Sequence, residues 1–190
     1  MDKEDQIRES ILSAAETLFQ RWGIHKTTME DIAREAGRGK SSIYYYFPNK
    51  EAVIETVVMA QGERITRLVR DEVARRPSAR EKLLAMVSTS FRATRGAVTL
   101  YAIARGEVRA DRKLIDGVME KYGARQEEIV AEILRFGIAR REFKSLGGAD
   151  VPSTARAVVA VMRSLIVSLF IESDDFELID RIIQLLAEGL

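Results

Sequence analysis

The sequence predicts an all-α chain of about nine helices, three short ones at the amino terminus followed by a larger helical domain. Three observations lead to that class. No stretch sustains an alternation of apolar and polar residues, and no Asn-Gly hairpin turn occurs, so strands leave no signal. Apolar residues recur instead at steps of three and four along most of the chain, the spacing of one helical face. The prolines, Pro48, Pro77 and Pro152, each mark a break between such runs, where a missing N–H removes no helical hydrogen bond.

The first helix is carried by Ile7, Ile11, Ala15, Leu18 and Trp22, which share one face, and it ends at Gly23. The second starts at Thr27 and Thr28, both good caps, with Thr27 and Glu30 at capping-box spacing. Ile32, Ala33 and Ala36 form its small apolar face. Gly37 is expected to end it in a left-handed conformation, which glycine adopts without a steric penalty. In the third helix Ile43 points inward with Tyr46 and Phe47, so Ser41, Tyr44 and Tyr45 point the other way. After Pro48-Asn49 an amphipathic run covers about 50–75. Ser78 and Glu81 form a second capping-box pair before a helix of about 80–95. Further helices fit about 98–108 and 112–140, and the stretch Lys144 to Asp150 reads as a loop. Pro152-Ser153 opens an apolar helix of about 154–172, and Asp174 with Glu177 opens the last one.

The chain has 190 residues, 46% of them apolar and 31% charged, a balance that can bury a sizeable core. Cysteine is absent, which excludes disulfides, thiolate metal sites and cysteine nucleophiles. The charged amino terminus MDKEDQIRES has no apolar core of a secretion signal. The most apolar run, Ala157 to Phe170, is interrupted by Arg163 and too short to span a bilayer. A cytoplasmic location is therefore the expectation, with no membrane partner. His25, the single histidine, reads as a surface residue between the first two helices. No second histidine stands at metal spacing and no nucleophile can be matched to a base, so neither metal, cofactor nor catalytic residue is expected. The net charge is only +1, yet residues 36–50 hold Arg38, Lys40 and Lys50 without a single acid.

That local positive charge falls on GRGKSSIYYYF, residues 37 to 47, which admits two readings. A P-loop would need glycine five residues before Gly39, where Arg34 stands, and a strand ahead of it. A dinucleotide fingerprint would need its third glycine at Ser42. Both fail. Two short helices joined at Gly37 form instead a helix-turn-helix over about 28–47, whose second helix can enter the major groove of DNA. Lys40 and Ser41 then offer hydrogen bonds, and the tyrosines stack or bond to phosphate.

The succession Ile7, Ala14-Ala15, Leu18-Phe19, Gly23, Thr27-Thr28, Ile32-Ala33, Ala36-Gly37 and Ser42-Ile43-Tyr44-Tyr45-Tyr46-Phe47-Pro48-Asn49-Lys50-Glu51 resembles the DNA-binding domain of the tetracycline-repressor (TetR) family. The resemblance covers residues from about 5 to 60. It implies a DNA-binding domain at 1–48 and an effector-binding and dimerisation domain at 49–190. It also implies that Thr27 and Thr28 contact phosphate, that Lys40, Ser41, Ser42 and Tyr44 face the groove, and that Tyr45, Tyr46 and Lys50 reach phosphates. The family usually carries a small aliphatic residue after the turn glycine and often a serine next; here Arg38 and Gly39 stand there. Either Arg38 reaches outward to add a phosphate contact or the turn has shifted slightly. Both residues count with the DNA-facing set.

The family likeness further implies a ligand-responsive repressor that binds a palindromic operator as a homodimer. The alternative is a TetR-like helical protein that binds an effector or partner without DNA. The helix of about 154–172 is apolar all round and must be covered on both sides. Val159, Ile166 and Phe170, with Ile179, Ile183 and Leu186 of the last helix, are expected at the interface with a symmetric partner. Met59, Met86, Phe91, Tyr101, Tyr122, Phe136 and Met162 could line a pocket for an apolar or aromatic effector, or simply fill the core.

Overall fold

The computed structural model of the chain describes residues 2–97, 112–143, 150–172 and 181, with helical residues 112–116, 118, 119 and 165–172 described by backbone alone. Among these residues there are helices and no strand: α1 Lys3–Trp22, α2 Met29–Glu35, α3 Lys40–Tyr46, α4 Lys50–Ala74, α5 Ala79–Gly96, α6 Arg112–Ala139 and α7 Val151–Glu172. The all-α class is borne out. The helices expected at about 98–108 and after Asp174 lie outside the described residues.

Five of the helices start where a side chain satisfies free amide groups. Asp2 and Asp5 close a reciprocal box on α1. Ser78 and Glu81 do so before α5, as their spacing predicted: the Ser78 hydroxyl accepts from the Glu81 N–H at 3.2 Å and donates to its carboxylate at 2.7 Å. On α2 the box belongs to Thr28 and Asp31, one residue later than the expected Thr27 and Glu30. Burial makes the choice. Thr27 is fully buried and its hydroxyl donates back to the Gly23 carbonyl at 2.9 Å, so it cannot cap. Asn49 caps α4 through the Ala52 N–H at 2.8 Å, and Asp150 caps α7 through the Ser153 N–H at 3.2 Å.

The chain divides into two compact units, Met1–Gly62 with Ala97–Val118, and Glu63–Gly96 with Met119–Leu190. In the first, Ile11, Ala15, Leu18 and Phe19 of α1 are buried, as are Ile32 and Ala33 of α2, Ile43 of α3, Phe47, and Val53 and Val57 of α4. Trp22, expected on the inward face, is 43% exposed in the last turn of α1. The helix then stops at Gly23, whose φ of 80° and N–H bond to the Phe19 carbonyl fit the predicted break.

In the second unit Met86 and Phe91 of α5, Ile129, Val130, Ile133 and Leu134 of α6, and Ala155 and Val159 of α7 are buried. Arg70 pairs with Glu132 at 3.0 Å and Arg125 with Glu63 at 3.1 Å, but these groups are well solvated and contribute little. The end of α6 is more consequential. Arg141 takes the left-handed conformation at φ 58°, while Glu142 N–H reaches the Gly137 carbonyl at 2.8 Å. The Glu142 carboxylate in turn accepts the Ala79 N–H at 2.6 Å, tying this turn to the start of α5. A methyl group on Gly137 would overlap the Phe143 ring and press on the Ala79 Cβ. Gly137→Ala is therefore expected to cost about 1–3 kcal/mol. Arg141→Gly, which relieves a left-handed non-glycine residue, should instead stabilise the unit by about 1 kcal/mol. Urea unfolding of both variants checks the opposite signs.

Candidate nucleic-acid interface

The interface begins at the turn. Gly37 sits at φ 65°, its N–H donates to the Arg34 carbonyl at 3.1 Å, and the Arg38 N–H donates to the Ala33 carbonyl at 2.8 Å. These two bonds make a complete left-handed helix stop, so the turn is where the glycine predicted it. The Arg38 side chain is exposed. Gly39 precedes α3 in an extended conformation and offers only its backbone: its carbonyl accepts from Ser42 N–H at 3.0 Å.

On α3, neighbours in sequence face opposite ways. Ile43 is completely buried and Phe47 nearly so, whereas Tyr44 is 40% and Tyr45 74% exposed. Ser41 and Lys40 share the exposed side and Ser42 is half-buried. Tyr46 is also half-buried, with its ring edge-on to Tyr45 at 5.0 Å between centroids. Its carbonyl accepts a bond from the Arg8 guanidinium at 3.3 Å, and that guanidinium lies 4.7 Å from the centre of the Phe47 ring. A cation is favoured there because the last carbonyls of a helix carry its negative end. Arg8 was not singled out from sequence; it lies 38 residues from Tyr46 and shares no local spacing with it.

Lys40 forms an ion pair with Glu30 of α2. The hydrogen bond to Glu30 raises the Lys40 ammonium above its ordinary range and holds the Glu30 carboxyl below its own. Both groups are solvated, so a competing anion can reach Lys40. Thr28 is exposed at the start of α2, and its hydroxyl donates to the Asp31 carboxylate at 2.6 Å. That bond holds the Asp31 carboxyl below the usual carboxylate range.

Two expected phosphate contacts need correction. Thr27 presents no surface at all, and its hydroxyl is committed to Gly23. The Lys50 ammonium turns inward rather than out, donating to the carbonyls of Ile24 at 3.0 Å and Thr27 at 3.1 Å. The remaining set is Thr28, Arg38, Lys40, Ser41, Tyr44 and Tyr45, with Gly39, Ser42 and Tyr46 close to them in the chain. Among the described residues no cluster of His, Asp and Glu could hold a metal ion.

Residues 11–57 match the family described as bacterial regulatory proteins, tetR family. A helix-turn-helix-type transcriptional regulator of Mycobacterium tuberculosis is 30% identical over 161 residues, spanning 83% of this chain and 73% of its own length. The chain belongs to the TetR family. A fatty acid metabolism regulator protein of Bacillus subtilis is 23% identical over 187 residues, covering 95% of this chain and 93% of that one. In fold, the chain is similar to the crystal structure of the regulator FadR from Bacillus subtilis in complex with stearoyl-CoA, with a TM-score of 0.74 and 22% identity over 96% of this chain and 98% of the other.

This TetR-family protein is thus a DNA-binding transcriptional regulator. Its second unit holds most of the residues considered for an effector pocket. Met86 and Phe91 are buried, Met162 is half-buried, and Phe136 lies under Lys82 and Arg140 at 5.0 and 5.2 Å from the ring centre. Burial pushes the Tyr122 phenol up to about 12, against hydrogen bonding from Thr94 and Gln126 that works the other way. Ser90 donates to the Gln126 carboxamide oxygen at 3.4 Å, while the Gln126 nitrogen, although beside Tyr122, makes no hydrogen bond of good geometry. Met59 belongs to the first unit, and Tyr101 lies outside the described residues.

A cavity of about 270 Å³ lies between α6 and α7, lined by Glu127, Glu128, Glu132, Arg135 and Arg156 among others. None of the seven pocket candidates lines it. Of the expected interface residues, Val159 is already buried within the chain, at 3% exposed. Val161 on the same helix is 60% exposed. The side chains of Ile166 and Phe170, and all of Ile179, Ile183 and Leu186, lie outside the described residues.

Proposed function

We propose that the protein is a homodimeric repressor, released from a palindromic operator by a small molecule. Residues 1–48 would bind DNA and residues 49–190 would receive the effector and join the protomers. The observation that carries the reading is the outward face of α3, where Lys40, Ser41, Tyr44 and Tyr45 are exposed beside an acid-free stretch. Groups of this kind near the start of a recognition helix read base edges and hold phosphates. It favours DNA binding over the alternative, an effector- or partner-binding protein without DNA, which would have no use for that exposed set.

The effector is taken to be a molecule with a long apolar chain, supported by the Bacillus subtilis regulator whose structure contains stearoyl-CoA. Met86, Phe91, Tyr122, Phe136 and Met162 are the residues we assign to its site. Among the described residues no helix is long and apolar enough to cross a membrane. We place the protein in the cytoplasm and assign it no catalytic activity.

Fluorescence anisotropy on a duplex enriched by the protein from a random library tests the whole reading. Stearoyl-CoA should lower the affinity for that duplex; an unchanged affinity would remove this effector while leaving the DNA-binding role intact. Dimerisation has its own check. Val161→Glu places a charge on the uncovered face of α7, where a solvated glutamate does not disturb a monomer but an interface would bury it unpaired, at a cost of several kcal/mol. Sedimentation should show a folded monomer, with operator affinity lost alongside the dimer. A Val161→Glu chain that still sediments as a dimer would place the interface elsewhere.

A further inference from the structure

Lys50 is the first residue of α4. A cation is disfavoured there, because the first amide groups of a helix carry its positive end. The side chain nevertheless stays half-buried and points away from that end. Its ammonium donates to two carbonyls in the connection between α1 and α2, Ile24 at 3.0 Å and Thr27 at 3.1 Å. The Thr27 hydroxyl, fully buried, adds a bond to the Gly23 carbonyl at 2.9 Å. Together the three bonds draw residues 23–27 against the start of α4 and leave α2 to begin immediately afterwards at Met29.

We propose that Lys50 is a positioning residue for DNA binding, acting through the α1–α2 connection rather than by neutralising a phosphate. The proposal rests on the DNA-binding reading above. A compact ammonium can aim two of its three N–H groups at converging carbonyls, and it does so here. A guanidinium is a flat fork whose donors do not converge in that way, so arginine would keep the charge and lose the geometry. Removing the clamp frees the connection, and α2, which sets the position of α3 through the Gly37 turn, loses its fixed start. Misplacement of a supporting group weakens a site without removing any contact from it.

The two roles separate in the salt dependence of binding. A lysine that neutralises a phosphate contributes about 0.9 to the slope of log affinity against log salt, whereas a positioning residue contributes nothing. The probe is the duplex enriched by the wild-type chain from a random library, titrated between about 50 and 200 mM salt. Lys50→Met and Lys50→Arg should each weaken binding by about tenfold or more with the slope unchanged. Thr27→Val, which removes a loop bond and no charge, should weaken binding in the same slope-neutral way. It also decides the matter if Lys50→Met fails to fold, which circular dichroism at the assay temperature would reveal. A slope reduced by about 0.9 per site in Lys50→Met and restored in Lys50→Arg overturns the proposal in favour of a direct phosphate contact. Wild-type affinity in both Lys50→Arg and Thr27→Val overturns it too. A wild-type chain that enriches no duplex overturns the DNA-binding reading itself, before any variant is made.

Discussion

Ile43→Ala is expected to destabilise the first unit by about 2–5 kcal/mol and to abolish DNA binding with it. Ile43 is completely buried, and with Phe47 it supplies the inward face of α3. That helix has only seven residues and no side-chain cap, so it has no stability of its own and exists because of this packing. Truncating the side chain removes buried methylene and methyl groups and leaves a cavity that the surrounding helices can close only in part. Trp22, the single tryptophan, belongs to the same unit, so its fluorescence reports unfolding there without interference from the second unit. An unfolding free energy lowered by less than about 1 kcal/mol would show that α3 is held by something other than Ile43.

Tyr44→Ala, one residue further on, should have the converse signature. Tyr44 is 40% exposed, so its removal leaves the Trp22 unfolding transition almost where it was. Affinity for the enriched duplex should nevertheless fall by about 1–3 kcal/mol, and discrimination between that duplex and variants of its sequence should narrow. Tyr45→Ala and Arg38→Ala are useful comparators: loss of a phosphate contact weakens all sequences alike, and loss of the Arg38 charge also flattens the salt dependence. If Tyr44→Ala lowered affinity equally for every duplex, Tyr44 would hold the backbone and read no base. The adjacency of Ile43 and Tyr44 makes the pair informative, because one alanine acts on folding and the other on recognition.

Features decided by local spacing were legible in the sequence. Gly37 had to end α2, Ser78 and Glu81 had to cap α5, and the step from Ile43 to Phe47 fixed which side of α3 faces out. Local rules failed where two fits were equal. Thr27 with Glu30 and Thr28 with Asp31 have identical spacing, and only the burial of Thr27, with its hydroxyl turned back to Gly23, selects the second pair. Long-range pairings left no trace in the sequence: Arg8 to the Tyr46 carbonyl, and Lys50 to Ile24 and Thr27, join residues 38, 26 and 23 positions apart. The apolar pattern of α7 called for cover on both sides without saying which side its own protomer supplies. Val159 falls on the side that the chain itself covers and Val161 on the exposed side.

The turn between α2 and α3 divides its duties between two adjacent residues. Gly37 carries the conformational requirement alone, since φ is positive there and nowhere else in the turn. Arg38 takes part through its backbone N–H only, and that N–H is common to every residue except proline. Its side chain, being exposed, is under no folding constraint. Position 38 is therefore an adjustable charge mounted on a fixed hinge. Substituting it by lysine, glutamine or glutamate alters the electrostatic potential at the mouth of the helix-turn-helix while the bend keeps its shape. Within a family whose members must distinguish their own operators from those of their siblings, such a position lets overall grip on DNA drift over generations independently of both stability and base reading.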